Sequence, residues 1–381
     1  MKGLLYYGKE QLRYSEDIPE PQIKNPNDVK VKIAYCGICG TDLHEYLDGP
    51  IFFPKPNGGK SEISGKELPL CPGHEFSGVV QEIGSAVTTV KPGDRVVVEA
   101  TSHCSDRERY KDDIVDKDLS FCVACQKNKP NCCKRLSFVG LGTDHGAFGQ
   151  YVVYGEDHMI PIPDDLPLDL AALVEPLSVA WHAVNIANFK PGQDAVVLGG
   201  GPIGLCTILA LKGHKAGRIV CSEPAAIRRN LAEKLGAEVF NPMDYDDPIS
   251  ELKNLLPETE GFTASFDCSG IQKTFDTSID VLGPGGTAVN VAIWPNIPIQ
   301  YVPMCLTYQE KFATGSMCYV TQDFREVIDA IASGLIDKDA MRTLITGKVE
   351  AKDAIEGGFM QLINHKETNV KILIAPNGLD M

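Results

Sequence analysis

The sequence predicts an α/β protein of two domains, one β-rich and one built on a doubly wound parallel sheet. Three observations predict it. The chain has 381 residues, more than one ordinary core holds. Up to about Ala183 it is a series of short β-forming runs broken by Gly and Pro. From Ala195 onward strands alternate with helices, the pattern of βαβ units and a parallel sheet.

Taken in order, the first half carries strands at Val29–Ala34, Ser77–Ile83 and Arg95–Glu99. Between His103 and Arg135 the chain is polar, charged and cysteine-bearing, which predicts a long loop or lobe. The apolar periodic stretch from about Pro167 to Phe189 predicts a helix bent at Pro176, because proline lacks the N–H that the helical ladder uses. Beyond it Ala195–Leu198 is a buried strand, and Pro202 opens an apolar helix to about Lys212. Arg218–Cys221 is a strand, Ala225–Leu235 a helix and Glu238–Phe240 a strand. Ala264–Cys268 is a strand, Gln272–Leu282 a helix and Thr287–Val291 a strand. The last portion, from about Ser316, adds a helix at Phe324–Ser333 and a strand at Asn369–Ile374.

Composition narrows the function. Apolar residues make up 43% and charged residues 23%, the profile of a globular protein and not of a disordered one. A net charge of −15 disfavours nucleic acid and anionic membranes as partners, since both need a basic surface. The start, MKGLLYYGKEQLRY, lacks the apolar run of a signal peptide, and no stretch approaches the ~20 apolar residues of a membrane span. A cytosolic protein is expected. In a reducing compartment, 13 cysteines, several closely spaced, suit metal binding better than disulfides.

Two kinds of site stand out. In VVLGGGPIG, Gly199, Gly201 and Gly204 occupy a G-x-G-x-x-G frame between a strand and a helix opened by Pro202 and Ile203. The first glycine permits the tight turn, the second lets the backbone approach a pyrophosphate, and the third allows close helix–strand packing. The helix N-terminus offers free N–H groups to the phosphates. Glu223, at the end of the next strand, stands near the spacing of a carboxylate that takes ribose hydroxyls. NAD is therefore expected over NADP, whose 2′-phosphate would meet a like charge.

The second kind is metal chemistry. CGICGTDLH carries Cys39, Thr41 and His44, PGHEFSG carries His74 and Glu75, and LVEPLSVAWHA carries Glu175. Thiolate, imidazole and carboxylate together suit Zn²⁺ with one position left open for water or substrate. Further on, Cys122 and Cys125 form C-x-x-C, Cys133 follows, and Cys104 lies upstream. Four thiolates close a coordination sphere, which predicts a structural zinc. Cys132, beside Cys133, is an alternative ligand.

These motifs, with ALVEPLSVAWHAV, CSGIQ and NHKETNVKIL, resemble the zinc-containing medium-chain dehydrogenase/reductases, and among them the polyol and butanediol dehydrogenase branch. The resemblance implies a GroES-like β-rich catalytic domain from both chain ends, 1–183 and 317–381, and a Rossmann domain, 184–316, between them. It puts Cys39, His74 and Glu175 on the catalytic zinc positions and Glu75 on a carboxylate able to approach or replace a ligand. Thr41 and His44 fall on proton-relay positions, and Glu223 and Arg228 on adenosine-ribose positions. It further implies a homodimer with Rossmann sheet edges paired. The implied reaction is NAD-dependent oxidation of a small vicinal diol or secondary alcohol, foremost (R,R)-2,3-butanediol to acetoin and the reverse. Sorbitol or xylitol oxidation is the alternative, and a non-catalytic crystallin-like relative a more distant one. Two departures are visible. Family members usually begin the structural site C-x-x-C-x-x-C, whereas 17 residues separate Cys104 from Cys122. Sorbitol-type enzymes carry Arg before Tyr in the segment matching GSMCYV, where this chain has Cys318 before Tyr319. Loss of that donor points to a shorter substrate.

Overall fold

The apolar runs become strands in the computed structural model, which describes residues 1–294 and 297–381. In chain order these are β1 (Gly3–Gly8), β2 (Gln11–Ser15), β3 (Asp28–Gly37), β4 (Glu75–Ile83), β5 (Arg95–Val98), β6 (Thr101–Ser102), β7 (Ser137–Phe138), β8 (Tyr151–Gly155) and β9 (Met159–Pro161). There follow β10 (Ala195–Leu198), β11 (Ile219–Ser222), β12 (Glu238–Phe240), β13 (Phe262–Asp267), β14 (Leu282–Asn290), β15 (Phe312–Gly315), β16 (Ile345–Glu350) and β17 (Lys371–Ala375).

The chain divides into two compact units, Met1–Glu175 with Ile345–Met381, and Pro176–Leu344. These boundaries differ from the expected 183/184 and 316/317. The difference follows from Trp181, whose ring lies 4.0 Å from that of His214 at the end of the helix Pro202–Gly213, and from Asn185, whose Oδ1 is 3.1 Å from His214 Nε2. Trp181 Nε1, on the helix Val174–Ile186, donates to Glu326 at 2.6 Å, and His182 Nδ1 lies 2.8 Å from Asp323 Oδ2. Both acceptors sit on the helix Thr321–Ala332, so that helix belongs with the parallel sheet and not with the chain end.

In the first unit the sheet order is β16-β17-β3-β4-β5-β9, with β8 also paired to β3. The central β3 is buried along nearly its whole length, its apolar residues in the core and its buried Asp28 and Lys30 paired with Arg109 and Glu20. β3 and β4 run antiparallel, with Val29 opposite Ile83 and Gly37 opposite Glu75. Ala34, Tyr35, Ala172, Leu373 and Ala375 form one of its cores.

In the second unit six strands lie in the order β12-β11-β10-β13-β14-β15, and all adjacent pairs are parallel. The order reverses at β10, which is flanked by β11 and β13. In such sheets ligands bind beyond the strand C-termini at that reversal. Val196, Leu198, Val220, Phe240, Leu252, Phe262 and Val281 fill one core, each large apolar side chain contributing ~1.5–3 kcal/mol on burial.

Local departures have local causes. The predicted helix bent at Pro176 is two helices, Leu168–Ala171 and Val174–Ile186. Pro176 falls in the first turn of the second, where an N–H has no intrahelical partner to lose. β15 was not anticipated because all four of its residues are exposed, leaving no alternation to read. Among the described residues no helix is long and apolar enough to cross a membrane.

Candidate active site

The β3–β4 register builds the first cluster. Glu75 opens β4, His74 precedes it, and Cys39 caps the helix Gly40–Asp48 just after β3. Ligand atoms of Cys39, His74 and Glu75 lie within 4.8 Å of one another. Gly37 makes room for them, because a Cβ there would sit 2.3 Å from Glu75 Oε2. Asp42 Oδ2 accepts the Cys39 N–H at 2.9 Å, and Asp42 Oδ1 stands 3.6 Å from His74 Nδ1. Burial disfavours the His74 cation, yet Asp42 and Cys39 beside it hold its pKa well above the ordinary imidazole value.

The donors fit Zn²⁺. Thiolate, imidazole and carboxylate are its usual ligands, and three of them leave a position open. His74 Nδ1 and Asp42 Oδ1 are both buried without a hydrogen-bond partner, and a carboxylate facing the far nitrogen is how metal-binding imidazoles are oriented. Glu75 has a partner that the sequence did not disclose. Buried Lys371 donates from Nζ to both its oxygens, at 2.9 and 2.6 Å, and to the Ile38 carbonyl at 3.1 Å.

The remaining predicted residues are placed as follows. Thr41 Oγ1 lies 3.6 Å from Cys39 Sγ. The His44 side chain is 59% exposed, with Nδ1 3.1 Å from Asp48 Oδ2. Glu175 is buried in the first turn of the helix Val174–Ile186 and is not part of the converging group of three.

The second cluster gathers Cys104, Cys122, Cys125 and Cys133, whose sulfurs lie within 4.8 Å of one another. Cys132 is exposed and outside it. The insertion after Cys104 does not prevent convergence, since loop-closure entropy grows slowly with length. Four sulfurs at this spacing fit a closed tetrahedral zinc site. Backbone N–H donation from Cys125 pushes the Cys122 thiol down to about 6, while burial pushes Cys125 up to about 11.

A third group, His103, Asp106 and His158, also converges. It is fully used internally. His158 Nε2 is 2.9 Å from Asp106 Oδ1 and Nδ1 is 3.1 Å from the Glu99 carbonyl, so both nitrogens face acceptors and the ring is a cation. Asp106 holds the His158 pKa up at about 9 against burial, and its own is lowered to about 2. This is a buried ion pair.

In the second unit the glycine-rich turn follows β10. Gly199 has φ +105, and a Cβ there would lie 2.3 Å from Ser269 Oγ. At Gly204 a Cβ would lie 1.9 Å from the Gly199 carbonyl, the close packing expected of the third glycine. Gly201 caps the helix Pro202–Gly213, whose first-turn N–H groups have no intrahelical partner, and a Cβ at Gly201 meets nothing within 4 Å. Such a cradle fits a dinucleotide pyrophosphate. Glu223 is buried and binds the turn itself, accepting the Gly200 N–H at 2.7 Å and the Ala225 N–H at 2.8 Å. The two arginines behind it differ. Arg229 is spent on the Glu223 and Pro224 carbonyls, whereas Arg228 NH1 stands 3.9 Å from Glu223 Oε2.

Comparison with known proteins agrees with this architecture. Residues 25–164 match the alcohol dehydrogenase GroES-like domain, and residues 202–333 match the zinc-binding dehydrogenase domain. The chain belongs to the zinc-dependent medium-chain alcohol dehydrogenase family and is an oxidoreductase. Within that class it is 50% identical over 378 residues to (R,R)-butanediol dehydrogenase of Saccharomyces cerevisiae, covering 99% of this chain and 98% of that one. It is 46% identical to a probable diacetyl reductase [(R)-acetoin forming] of the same yeast, over 99% of this chain and 90% of that one. The crystal structure of 2R,3R-butanediol dehydrogenase from Bacillus subtilis superposes with a TM-score of 0.87 at 34% identity, covering 99% of each chain.

Proposed function

We propose that this enzyme oxidises (R,R)-2,3-butanediol to acetoin with NAD and runs the reverse reduction. The observation that carries this reading is the convergence of Cys39, His74 and Glu75 in a chain half identical to the yeast butanediol enzyme. Relatives named as probable D-xylulose reductases are 33% identical, which keeps polyol oxidation as the second reading.

Cys39, His74 and Glu75 hold one zinc ion, with Glu175 as a further carboxylate; Cys104, Cys122, Cys125 and Cys133 hold another. Zn²⁺ at the first site supplies Lewis-acid polarisation of an alcohol or carbonyl oxygen. Asp42 orients His74, and Lys371 fixes the Glu75 carboxylate. The substrate proton leaves by Thr41 Oγ1 and His44, whose exposed imidazole delivers it to water. Gly199, Gly201, Pro202, Ile203 and Gly204 cradle the pyrophosphate, and Glu223 takes the adenosine ribose with Arg228 beside it. A 2′-phosphate beside the Glu223 carboxylate would cost about 4 kcal/mol at ~4 Å and an effective dielectric of ~20, before screening.

A homodimer through β15 is part of this proposal. β15 is an edge strand, and Phe312 on it is 62% exposed, with Tyr308 at 83% and Met304 at 57% just before it. Pairing with a second copy covers both the edge and these side chains. A cytoplasmic location accords with the many free cysteines.

NAD-dependent oxidation of the three 2,3-butanediol stereoisomers beside sorbitol and ethanol tests the substrate. A higher kcat/KM for sorbitol than for every butanediol isomer overturns it. For the cofactor, Glu223→Ser is expected to narrow the NAD/NADP ratio of kcat/KM about tenfold. An unchanged ratio rejects Glu223 as the discriminator.

A further inference from the structure

The four-cysteine cluster carries more negative charge than one divalent ion removes. Four thiolates and Zn²⁺ leave a net −2, and Cys104 and Cys133 are buried. Buried charge of this kind needs a partner. Arg135 is the cation in contact. It is 8% exposed, its NH1 donates to Cys104 Sγ at 3.7 Å, and its backbone N–H donates to Cys133 Sγ at 3.4 Å.

The insertion between Cys104 and Cys122 reaches Arg135 from the other side. Arg107, 1% exposed, pins that segment by donating from Nε to the Glu62 carbonyl at 3.2 Å, from NH2 to the Asp116 carbonyl at 2.6 Å and from NH1 to the Asp118 carbonyl. So held, Asp116 places Oδ2 3.5 Å from Arg135 NH2 and 3.6 Å from Arg107 NH2. Asp116 itself is 61% exposed, so backbone anchoring and not burial puts it there.

We propose that Arg135 is the counter-cation of the four-thiolate site, held against Cys104 by Asp116, so that the long insertion supplies the charge balance that retains the metal ion. The inference rests on the reading of this cluster as a zinc site. A guanidinium suits the task because one face of its fork serves sulfur while another serves the carboxylate. Lysine offers a single point charge and serves one of the two. Without the cation the net negative charge at the buried sulfurs is left unpaired and the supporting contact to Cys104 is lost, so the ion departs faster.

The test uses the full-length protein carrying Cys39→Ser and His74→Ala, so that the ion measured belongs to the cysteine cluster. It is loaded with Zn²⁺ or Co²⁺ and challenged with excess EDTA. Arg135→Met is expected to release zinc about 10- to 100-fold faster than its parent, the usual range for loss of a group supporting metal ligands. Asp116→Asn and Arg135→Lys are expected to fall between, at about threefold or more. In the Co²⁺ form, the sulfur-to-metal charge-transfer absorption is expected to move to longer wavelength in Arg135→Met, because the thiolate lone pairs rise in energy. A purely structural role leaves that absorption in place. Parent-like release together with unshifted absorption in Arg135→Met overturns the proposal. Should Arg135→Met not fold, Asp116→Asn decides, and a release rate within about twofold of the parent overturns it. A folded parent that takes up no Co²⁺ with thiolate absorption rejects the metal site itself, a result distinct from unaltered release in the variants.

Discussion

Cys39, His74 and Glu75 come from the ends of two antiparallel strands, and their donors are a thiolate, an imidazole and a carboxylate. Cys104, Cys122, Cys125 and Cys133 come from one polar stretch and offer sulfur throughout. Around the first, Asp42 and Lys371 supply one charge of each sign. Around the second, Arg135 supplies a cation. Three mixed donors leave a coordination position for chemistry, whereas four sulfurs leave none. On the proposed reading one cluster acts on a substrate and the other holds a lobe together.

The sharpest way to break this contrast is to remove one ligand from each. Cys39→Ser is expected to lower kcat/KM about a thousandfold or more, since Lewis-acid stabilisation is worth several kcal/mol. Its thermal midpoint should change little. Cys125→Ser is expected to do the reverse, lowering the midpoint while the surviving folded fraction keeps its turnover. Elemental analysis should give two zinc ions per wild-type chain and one in each variant. One zinc in the wild type, or loss of stability in both variants alike, ends the distinction.

Lys371→Met probes the charge balance of the open cluster. Glu75 would keep its buried position but lose both bonds from the Nζ. Removing one partner of a buried pair costs about 3–5 kcal/mol, because the other charge stays behind uncompensated. Urea unfolding of the metal-free protein should show a loss of that size. A loss below about 1 kcal/mol would mean that the pair behaves as a surface bridge does.

Legibility in the sequence followed the range of the interactions. The glycine turn was readable because its parts lie close together in the chain, with close packing at Gly199 and Gly204 and Glu223 bonded to the turn. The four cysteines announced themselves by chemistry and spacing. Asp42 was visible in CGICGTDLH but unassigned; its signal was an acid three residues into a helix capped by Cys39. Lys371 gave no signal, lying within an apolar run on a strand from the far end of the chain. Its pairing with Glu75 depends on the β17–β3–β4 sheet order, which no local pattern encodes. Arg107 and Asp116 were hidden likewise, since an insertion between ligands reads as a polar loop until its contacts are known.

The thiolate lobe has a second fastening that pH should loosen. His158 titrates at about 9 in the folded protein against 6.5 ordinarily, so its stabilisation is complete below the unfolded value and is lost as pH rises from there through about 9. The span corresponds to at most about 3 kcal/mol. Asp106, lowered to about 2, keeps its contribution above the ordinary carboxylate value and loses it as pH falls toward 2. Thermal midpoints measured from pH 6 to pH 9.5 should decline in the wild type, and His158→Gln should start lower and decline less. Parallel declines in the two proteins would remove this pair from the account.

The smallest expected effect concerns the choice between diol and polyol. By the family resemblance Cys318 stands where sorbitol-type enzymes carry Arg, and it adopts φ +48, a left-handed conformation unusual for a residue with a side chain. Because cysteine already bears a Cβ there, Cys318→Arg adds no new backbone strain, and a change in activity reports the side chain alone. An added guanidinium brings hydrogen-bond donors that suit the extra hydroxyls of a polyol. One hydrogen bond to a charged group is worth ~1.5–3 kcal/mol at best, and an exposed mobile donor less. The ratio of kcat/KM for sorbitol to that for (R,R)-2,3-butanediol should therefore rise about three- to tenfold, through sorbitol KM more than kcat. A ratio that falls would mean that Cys318 does not select for the shorter substrate, and the preference would have to arise from other residues.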